Sequence, residues 1–346
     1  MEYRKLGNTE LEVSVICLGS MTWGEQNTVT DAQEQLDYSL SQGINFIDTA
    51  ELYAVPTKES TYGLTEAYIG EWLKKSGKRN EVILASKIAG PGEWISHIRE
   101  GRSRFNNTQI SAAVDASLKR LQTDYIDLYQ LHWPERKTNF FGKLGFQPHK
   151  EDDLTPFLET LHALDKQIKA GKIRHIGLSN ETPWGFMKFL DIAEQHQLPR
   201  IVSVQNPYNL LNRSYEIGMA EISYREQVGL LAYSPLAFGV LTGKYNGLMQ
   251  PSDARLSLFP SFDRYSGEIA SNAVRQYVSL AEDYNLDPAQ MALSYVNSRP
   301  FLTSTIIGAT NMEQLQANIK SINVNLSAEI IEKIEAIHKM IPNPCP

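Results

Sequence analysis

The sequence predicts an α/β fold: a (β/α)8 TIM barrel with an N-terminal β-hairpin, long loops at its C-terminal face and an extra C-terminal helix. Three observations predict it. Short apolar runs alternate with amphipathic stretches of helical length, giving eight strand-then-helix units. The strand segments are near-continuously apolar, as strands covered on both faces must be. No Gly-x-Gly-x-x-Gly follows a strand, which weakens the runner-up, a doubly wound open sheet. The 346 residues, 42% hydrophobic and 21% charged, are enough to bury one large core. No composition shift or Gly/Ser-rich linker divides them, so residues 1–346 read as a single barrel domain.

Taken in order, "YRKLGNTELEVS" reads as a hairpin turning at Gly7-Asn8 and covering one end of the barrel. "SVICLG" (14–19) then precedes a helix over 31–43, with Asp31 as its start and Gly43 as its stop. "INFI" (44–47) precedes a helix over 64–77, "VILAS" (82–86) one over 108–122, and "YIDLYQL" (125–131) one over 156–171. "IRHIGL" (173–178) is followed by 183–196, "IVSVQ" (201–205) by 215–227, "GLLAYS" (229–234) by 269–284, and "STIIG" (304–308) by 312–322. A last amphipathic segment, 327–341, lies outside the eight units. The connections at 88–107, 134–154 and 235–268 all follow strands, on the face where barrel enzymes build their sites.

A formal net charge of −7 argues against nonspecific binding to nucleic acid or anionic membrane. Cys17 and Cys345 are too few for a disulfide framework, and no cluster has metal-ligand spacing. The N-terminus has no signal-like apolar region, and no run approaches the length of a membrane span. A soluble cytoplasmic protein of unspecified oligomeric state is expected.

Chemistry concentrates where strands end. "INFID" ends on Asp48 with Tyr53 a short loop further on, "VILASK" on Lys87 and "LYQLH" on His132. Taken singly these are a turn-capping Asp, a loop aromatic, a lysine with a buried stem and a core histidine. Together, on neighbouring strands, they share a purpose. A phenol titrates near about 10, and an adjacent ammonium lowers that value. The ammonium in turn needs a carboxylate partner. Asp48 beside Lys87, and Lys87 beside Tyr53, would make the phenol a usable general acid, with His132 holding a carbonyl oxygen. Hydride from a nicotinamide suits such a site, since hydride to carbon and a proton to oxygen give an alcohol.

"GINFIDTAELYA", "LKRLQTDYIDLYQLHWP", "GKIRHIGLSN" and "VQNPYNLL" resemble the aldo-keto reductase superfamily, and most of all its bacterial Tas-type members. The resemblance implies a catalytic tetrad at Asp48, Tyr53, Lys87 and His132, with Tyr53 as proton donor and NADP(H) as the cofactor. It also implies that Ser179, Asn180 and Gln205 hydrogen-bond a nicotinamide carboxamide and that Tyr233 stacks on the ring. Ser234 and the backbone through Leu236 would bind the pyrophosphate. Turn capping is the alternative for Ser179 and Asn180, and a core tyrosine for Tyr233. Lys244 and Arg255 are either the cations that meet a 2′-phosphate or solvated surface charges. In "IIGATNMEQLQAN" the chain departs from the better-known branch: Gly308, Gln314 and Ala317 replace Lys, Arg and Glu. Gln314 and Asn318 could still bind the adenosine end, and selection for NADP then falls to Lys244 and Arg255.

Trp23, Trp94 and Trp133 are the candidate walls for a small carbonyl substrate, or else core residues. The 134–154 loop either covers the site or mediates assembly. Two further functions compete with an NADPH-dependent carbonyl reductase: a redox-sensing or regulatory subunit that binds NADP(H) with slow turnover, and an aldolase-type barrel using Lys87 as a Schiff-base nucleophile.

Overall fold

The protein is described by a computed structural model over residues 1–149, 153–246 and 251–346. An antiparallel hairpin, β1 (Tyr3–Lys5) and β2 (Glu12–Ser14), opens the chain. Its loop is closed by Leu6 N–H donating to Leu11 C=O, with Gly7 at φ +60° against the Val202 carbonyl. The barrel strands are β3 (Ile16–Gly19), β4 (Phe46–Asp48), β5 (Ile83–Ile88), β6 (Ile126–Leu131), β7 (Ile173–Ser179), β8 (Ile201–Pro207), β9 (Gly229–Tyr233) and β10 (Leu302–Ile307). Each pairs in parallel with the next and β10 closes on β3, so the predicted closed barrel is the observed one.

Helices α1 (Val29–Ser41), α2 (Leu64–Ser76), α3 (Asn107–Leu121), α4 (Phe157–Lys169) and α5 (Pro183–Gln195) follow β3 to β7 in turn. α1 begins earlier than expected. Thr28 is its cap, accepting the Asp31 N–H, while the Asp31 carboxylate accepts the Thr28 N–H. Asp31 is therefore the reciprocal partner of a capping box rather than the helix start. Asn106 and Thr182 cap α3 and α5 more simply, each side chain accepting one first-turn N–H, worth about 1 kcal/mol.

The stretch after β8 is two short helices, α6 (Tyr215–Gly218) and α7 (Ala220–Glu226), broken at Met219, where one helix over 215–227 was expected. After β9 come α8 (Arg255–Leu258), α9 (Glu268–Asp283) and α10 (Pro288–Asn297). α10 was missed, although Asp287 capping with Pro288 at the first helical position is a readable start signal. α11 (Met312–Lys320) follows β10, and α12 (Ala328–Met340) is the extra C-terminal helix. Among the described residues no helix is long and apolar enough to cross a membrane.

Side chains two apart on a strand share a face, and this places the site. Inside the barrel, Phe46, Ala85, Leu128 and Leu231 form an apolar layer with Cys17, which Leu6 and Val13 of the hairpin segment join. Two residues further along the same strands stand Asp48, Lys87, Gln130 and Tyr233. The interior thus changes from apolar to polar in one pleat, toward the C-terminal ends of the strands.

Candidate active site

A cavity of about 880 Å³ opens over that polar layer. Asp48, Tyr53 and His132 line it, while Lys87 lies beneath them with its side chain wholly buried. The Lys87 ammonium donates to Asp48 Oδ2 at 2.5 Å, to the Thr49 carbonyl at 2.8 Å and to the Tyr53 hydroxyl at 3.5 Å. The other Asp48 oxygen accepts from the Gln205 amide at 2.8 Å and the Gln130 amide at 3.1 Å. The carboxylate is thereby saturated and fixed, which a buried anion requires. The His132 ring stands edge-on to Tyr53, with centroids 5.7 Å apart. Sequence reasoning proposed these four residues as neighbours, and the fold puts them side by side.

Their electrostatics differ from the expectation at one point. Lys87 does pull the Tyr53 phenol down, but burial pushes it up more strongly, so it stands above its ordinary value. Desolvation penalises the phenolate more than one ammonium at 3.5 Å repays. Lys87 shows the opposite balance. Burial lowers it, yet Asp48 and Tyr53 together hold it above the usual lysine range, firmly protonated. Burial, and then Lys87, keep His132 far below the ordinary histidine value, so its ring is neutral. Among the described residues its Nδ1 is buried without a partner.

All ten residues expected to hold a cofactor line the same cavity. Several are already engaged. Ser179 donates to the Gln205 carbonyl, and Asn180, at φ +52°, donates to the His132 carbonyl and accepts the Tyr233 hydroxyl at 2.6 Å. The Gln205 amide N–H groups serve Asp48 and Gln130. Gln314 accepts from the Thr310 N–H and hydroxyl at the start of α11, and Asn318 donates to the Gly308 carbonyl. A Cβ placed on Gly308 would meet open space. Lys244 and Arg255 belong to the cavity rather than to the outer surface, and both titrate below their usual ranges. Burial is the main cause for each; Arg255 adds to it for Lys244, while Tyr245 and Tyr53 oppose it for Arg255.

The expected tryptophan walls divide. Trp133 and Trp94 line the cavity with ring centroids 5.2 Å apart. Trp23 does not. It is fully buried in the core, its indole N–H donating to Gln35 at 3.1 Å, so the assignment of Trp23 to the substrate pocket is corrected to a structural role. The 134–154 loop reaches the cavity through Phe141, whose ring lies 5.7 Å from Trp133; Lys150 to Asp152 fall outside the described residues. The 88–107 loop is pinned by buried Glu51, which pairs with Arg99 and accepts the Ala89 N–H at 2.6 Å.

Sequence reasoning missed Gln130, Phe141 and Arg264. Gln130 carried a signal, since it lies two residues before His132 and therefore on the same strand face. Phe141 and Arg264 sit in long loops, where no periodicity tells inward from outward.

The closed parallel barrel collects its ionisable side chains at the C-terminal ends of its strands, the face on which TIM-barrel enzymes carry their active sites. The Aldo/keto reductase family model matches residues 15–339, and the chain belongs to that family. Its members act on small carbonyl compounds and generally use NAD(P)H. The chain is 51% identical to Protein tas of Escherichia coli (strain K12) over the whole of both chains. It is 30% identical to the L-glyceraldehyde 3-phosphate reductase of Escherichia coli O157:H7, covering 97% of this chain and 92% of that one. It is also 30% identical to a probable voltage-gated potassium channel subunit beta of Arabidopsis thaliana, covering 99% and 98% respectively.

Proposed function

We propose that the protein reduces an aldehyde or ketone to an alcohol with NADPH, Tyr53 giving the proton. One observation carries this reading: the buried Lys87 ammonium bridges Asp48 at 2.5 Å and the Tyr53 hydroxyl at 3.5 Å beneath the cavity. Bound NADPH would supply hydride to the carbonyl carbon. Tyr53 rests protonated, and its O–H passes the proton to the carbonyl oxygen. The phenolate left behind faces an ammonium already fixed by Asp48 and Thr49, so the charge is met without reorganisation. Lys87 therefore acts on the charge that develops during reaction rather than on the resting phenol. Neutral His132 donates one N–H to orient the carbonyl.

The residues present fit the cofactor. Tyr233 and Asn180 form one bonded unit beside the catalytic cluster, and Lys244 and Arg255 form a positive pair in the same cavity. Replacing both Lys244 and Arg255 with Ala should weaken NADPH by about ten- to a hundredfold, the effect of losing charge-assisted hydrogen bonds, and NADH much less. Fluorescence titration with each cofactor checks this; equal losses would remove the two cations from the 2′-phosphate. Because burial raises Tyr53 and lowers His132, neither changes charge near neutrality. Reduction should be level from about pH 7 to about pH 9 and fall only where Tyr53 loses its proton, which burial moves to higher pH than for a free phenol. Initial rates across buffers test it, and a fall setting in below about pH 8 would contradict the assignment.

The resemblance to a potassium channel subunit favours one other reading, a cofactor-binding regulatory subunit with slow turnover. NADPH oxidation over a panel of aldehydes separates the two: turnover supports the reductase, and tight NADPH binding without turnover supports the subunit. The aldolase reading loses ground, because Lys87 held as an ammonium offers no free amine. The free thiols of Cys17 and Cys345 suit a cytoplasmic setting.

A further inference from the structure

The cavity contains three Lys or Arg side chains among the described residues, Lys244, Arg255 and Arg264. The first two act on each other and form one positive pair. Arg264 stands apart. The groups that act most on its charge are Tyr265, Tyr233 and Cys345, with no carboxylate among them. Its Nη1 lies 3.4 Å from the Tyr233 hydroxyl, and among the described residues its Nε is buried without a partner. A guanidinium has five N–H donors in a planar fork that matches a carboxylate or phosphate. In a cavity wall, such a fork with no anion paired to it among the described residues is half of a pair.

Its surroundings show what the other half belongs to. The Tyr233 hydroxyl donates to Asn180, whose amide donates to the His132 main-chain carbonyl, so a short chain of hydrogen bonds runs from Arg264 to the backbone at His132. On its other side, the stem of Arg264 packs against Gly142, where a Cβ would lie 3.2 Å from Arg264 Cγ. Gly142 directly follows Phe141, whose ring meets both Trp133 and Trp94 in one aromatic cluster. The cation thus stands between that aromatic cluster and Tyr233, both of which line the cavity.

We infer that Arg264 anchors an anionic group, a carboxylate or a phosphate monoester, on a carbonyl substrate whose flat apolar body lies along Trp133 and Phe141. This rests on the carbonyl-reductase reading. The oxygen to be protonated lies at Tyr53 and His132, and the anion lies a short span away at Arg264. Trp133 and Phe141 bind either kind of aldehyde, so they set affinity for the body, and Arg264 sets the preference for charge.

The test compares benzaldehyde with 4-carboxybenzaldehyde and 4-formylphenyl phosphate in NADPH-dependent reduction by the full-length protein, its Arg264→Met variant and its Arg264→Lys variant. The parent protein should favour at least one anionic aldehyde in kcat/KM. Arg264→Met should cut that preference by about tenfold or more, chiefly through KM, and Arg264→Lys should restore part of it. Whichever anionic aldehyde responds identifies the group. A preference that is absent in the parent, or unchanged in Arg264→Met, overturns the inference. Calorimetric titration with 4-(hydroxymethyl)benzoate and benzyl alcohol reads the same anchor without turnover. If no aldehyde were reduced, the carbonyl-reductase reading would fall. Selective weakening of the carboxylated ligand in Arg264→Met would then still support the anchor, and equal binding would overturn it.

Discussion

Tyr53→Phe should lower the rate of carbonyl reduction by about 10²- to 10⁴-fold, the usual contribution of a positioned proton donor, while NADPH affinity stays nearly constant. The substitution removes one oxygen and little else. The ring is 8% exposed and packs in a small apolar cluster with Leu52, Ala89 and Trp133, contacts that a phenylalanine keeps. Lys87 loses its weakest partner, at 3.5 Å, and retains Asp48 at 2.5 Å and the Thr49 carbonyl at 2.8 Å. The lysine therefore has no reason to move, and a loss of rate cannot be assigned to collapse of the site. Steady-state NADPH oxidation with a reactive aldehyde gives the rate, and fluorescence titration gives the affinity. Activity within about tenfold of the parent would remove Tyr53 as the acid and point to His132 or water instead.

The parts of this site that were legible in the sequence were those governed by strand periodicity. Asp48, Lys87 and His132 stand out because each interrupts an apolar run where a barrel strand reaches its C-terminal end, and the structure places all three around Tyr53. Lys87 lies inside β5 rather than at its tip, yet its position two residues after the core residue Ala85 fixes the face. The same logic would have found Gln130, one pleat above Leu128. Trp23 shows where side-chain type misleads. An aromatic just past a strand looks like pocket wall, but a tryptophan whose N–H finds a glutamine can be buried whole. Loop residues were beyond reach for a different reason. The orientation of Phe141 and Arg264 depends on contacts between two long connections, such as Gly142 against Arg264, and no local pattern encodes them.

The sequence also suggested that Lys87 would make the resting phenol more acidic, and the structure reverses the sign of the net effect. Sequence shows which charges are present but not how dry their surroundings are. Here the Tyr53, Lys87 and His132 side chains all lie in a low-dielectric interior, where desolvation is the first influence on each. A protonated phenol, a charged lysine and a neutral imidazole are the forms that the proposed mechanism requires of a proton donor, its counter-charge and a hydrogen-bond donor.

Lys87→Met should be damaging in two separable ways. Removing the ammonium leaves the Asp48 carboxylate, 2% exposed, without its counter-charge, and breaking a buried ion pair from one side costs about 3–5 kcal/mol. The Gln130 and Gln205 amides still serve one Asp48 oxygen, so the loss should fall near the lower end of that range. Denaturant unfolding measures it. The rate should fall as well, because the phenolate formed at Tyr53 would face no cation. Adding Asp48→Asn to Lys87→Met removes the stranded charge, since a neutral amide keeps the shape and can still accept from the two glutamines. Stability should then recover by about 1 kcal/mol or more, while activity stays lost. That contrast distinguishes an ion pair present for chemistry from one present for folding. If the double variant regained turnover together with stability, Lys87 would be a structural lysine, and the charge on Tyr53 would need another source of stabilisation.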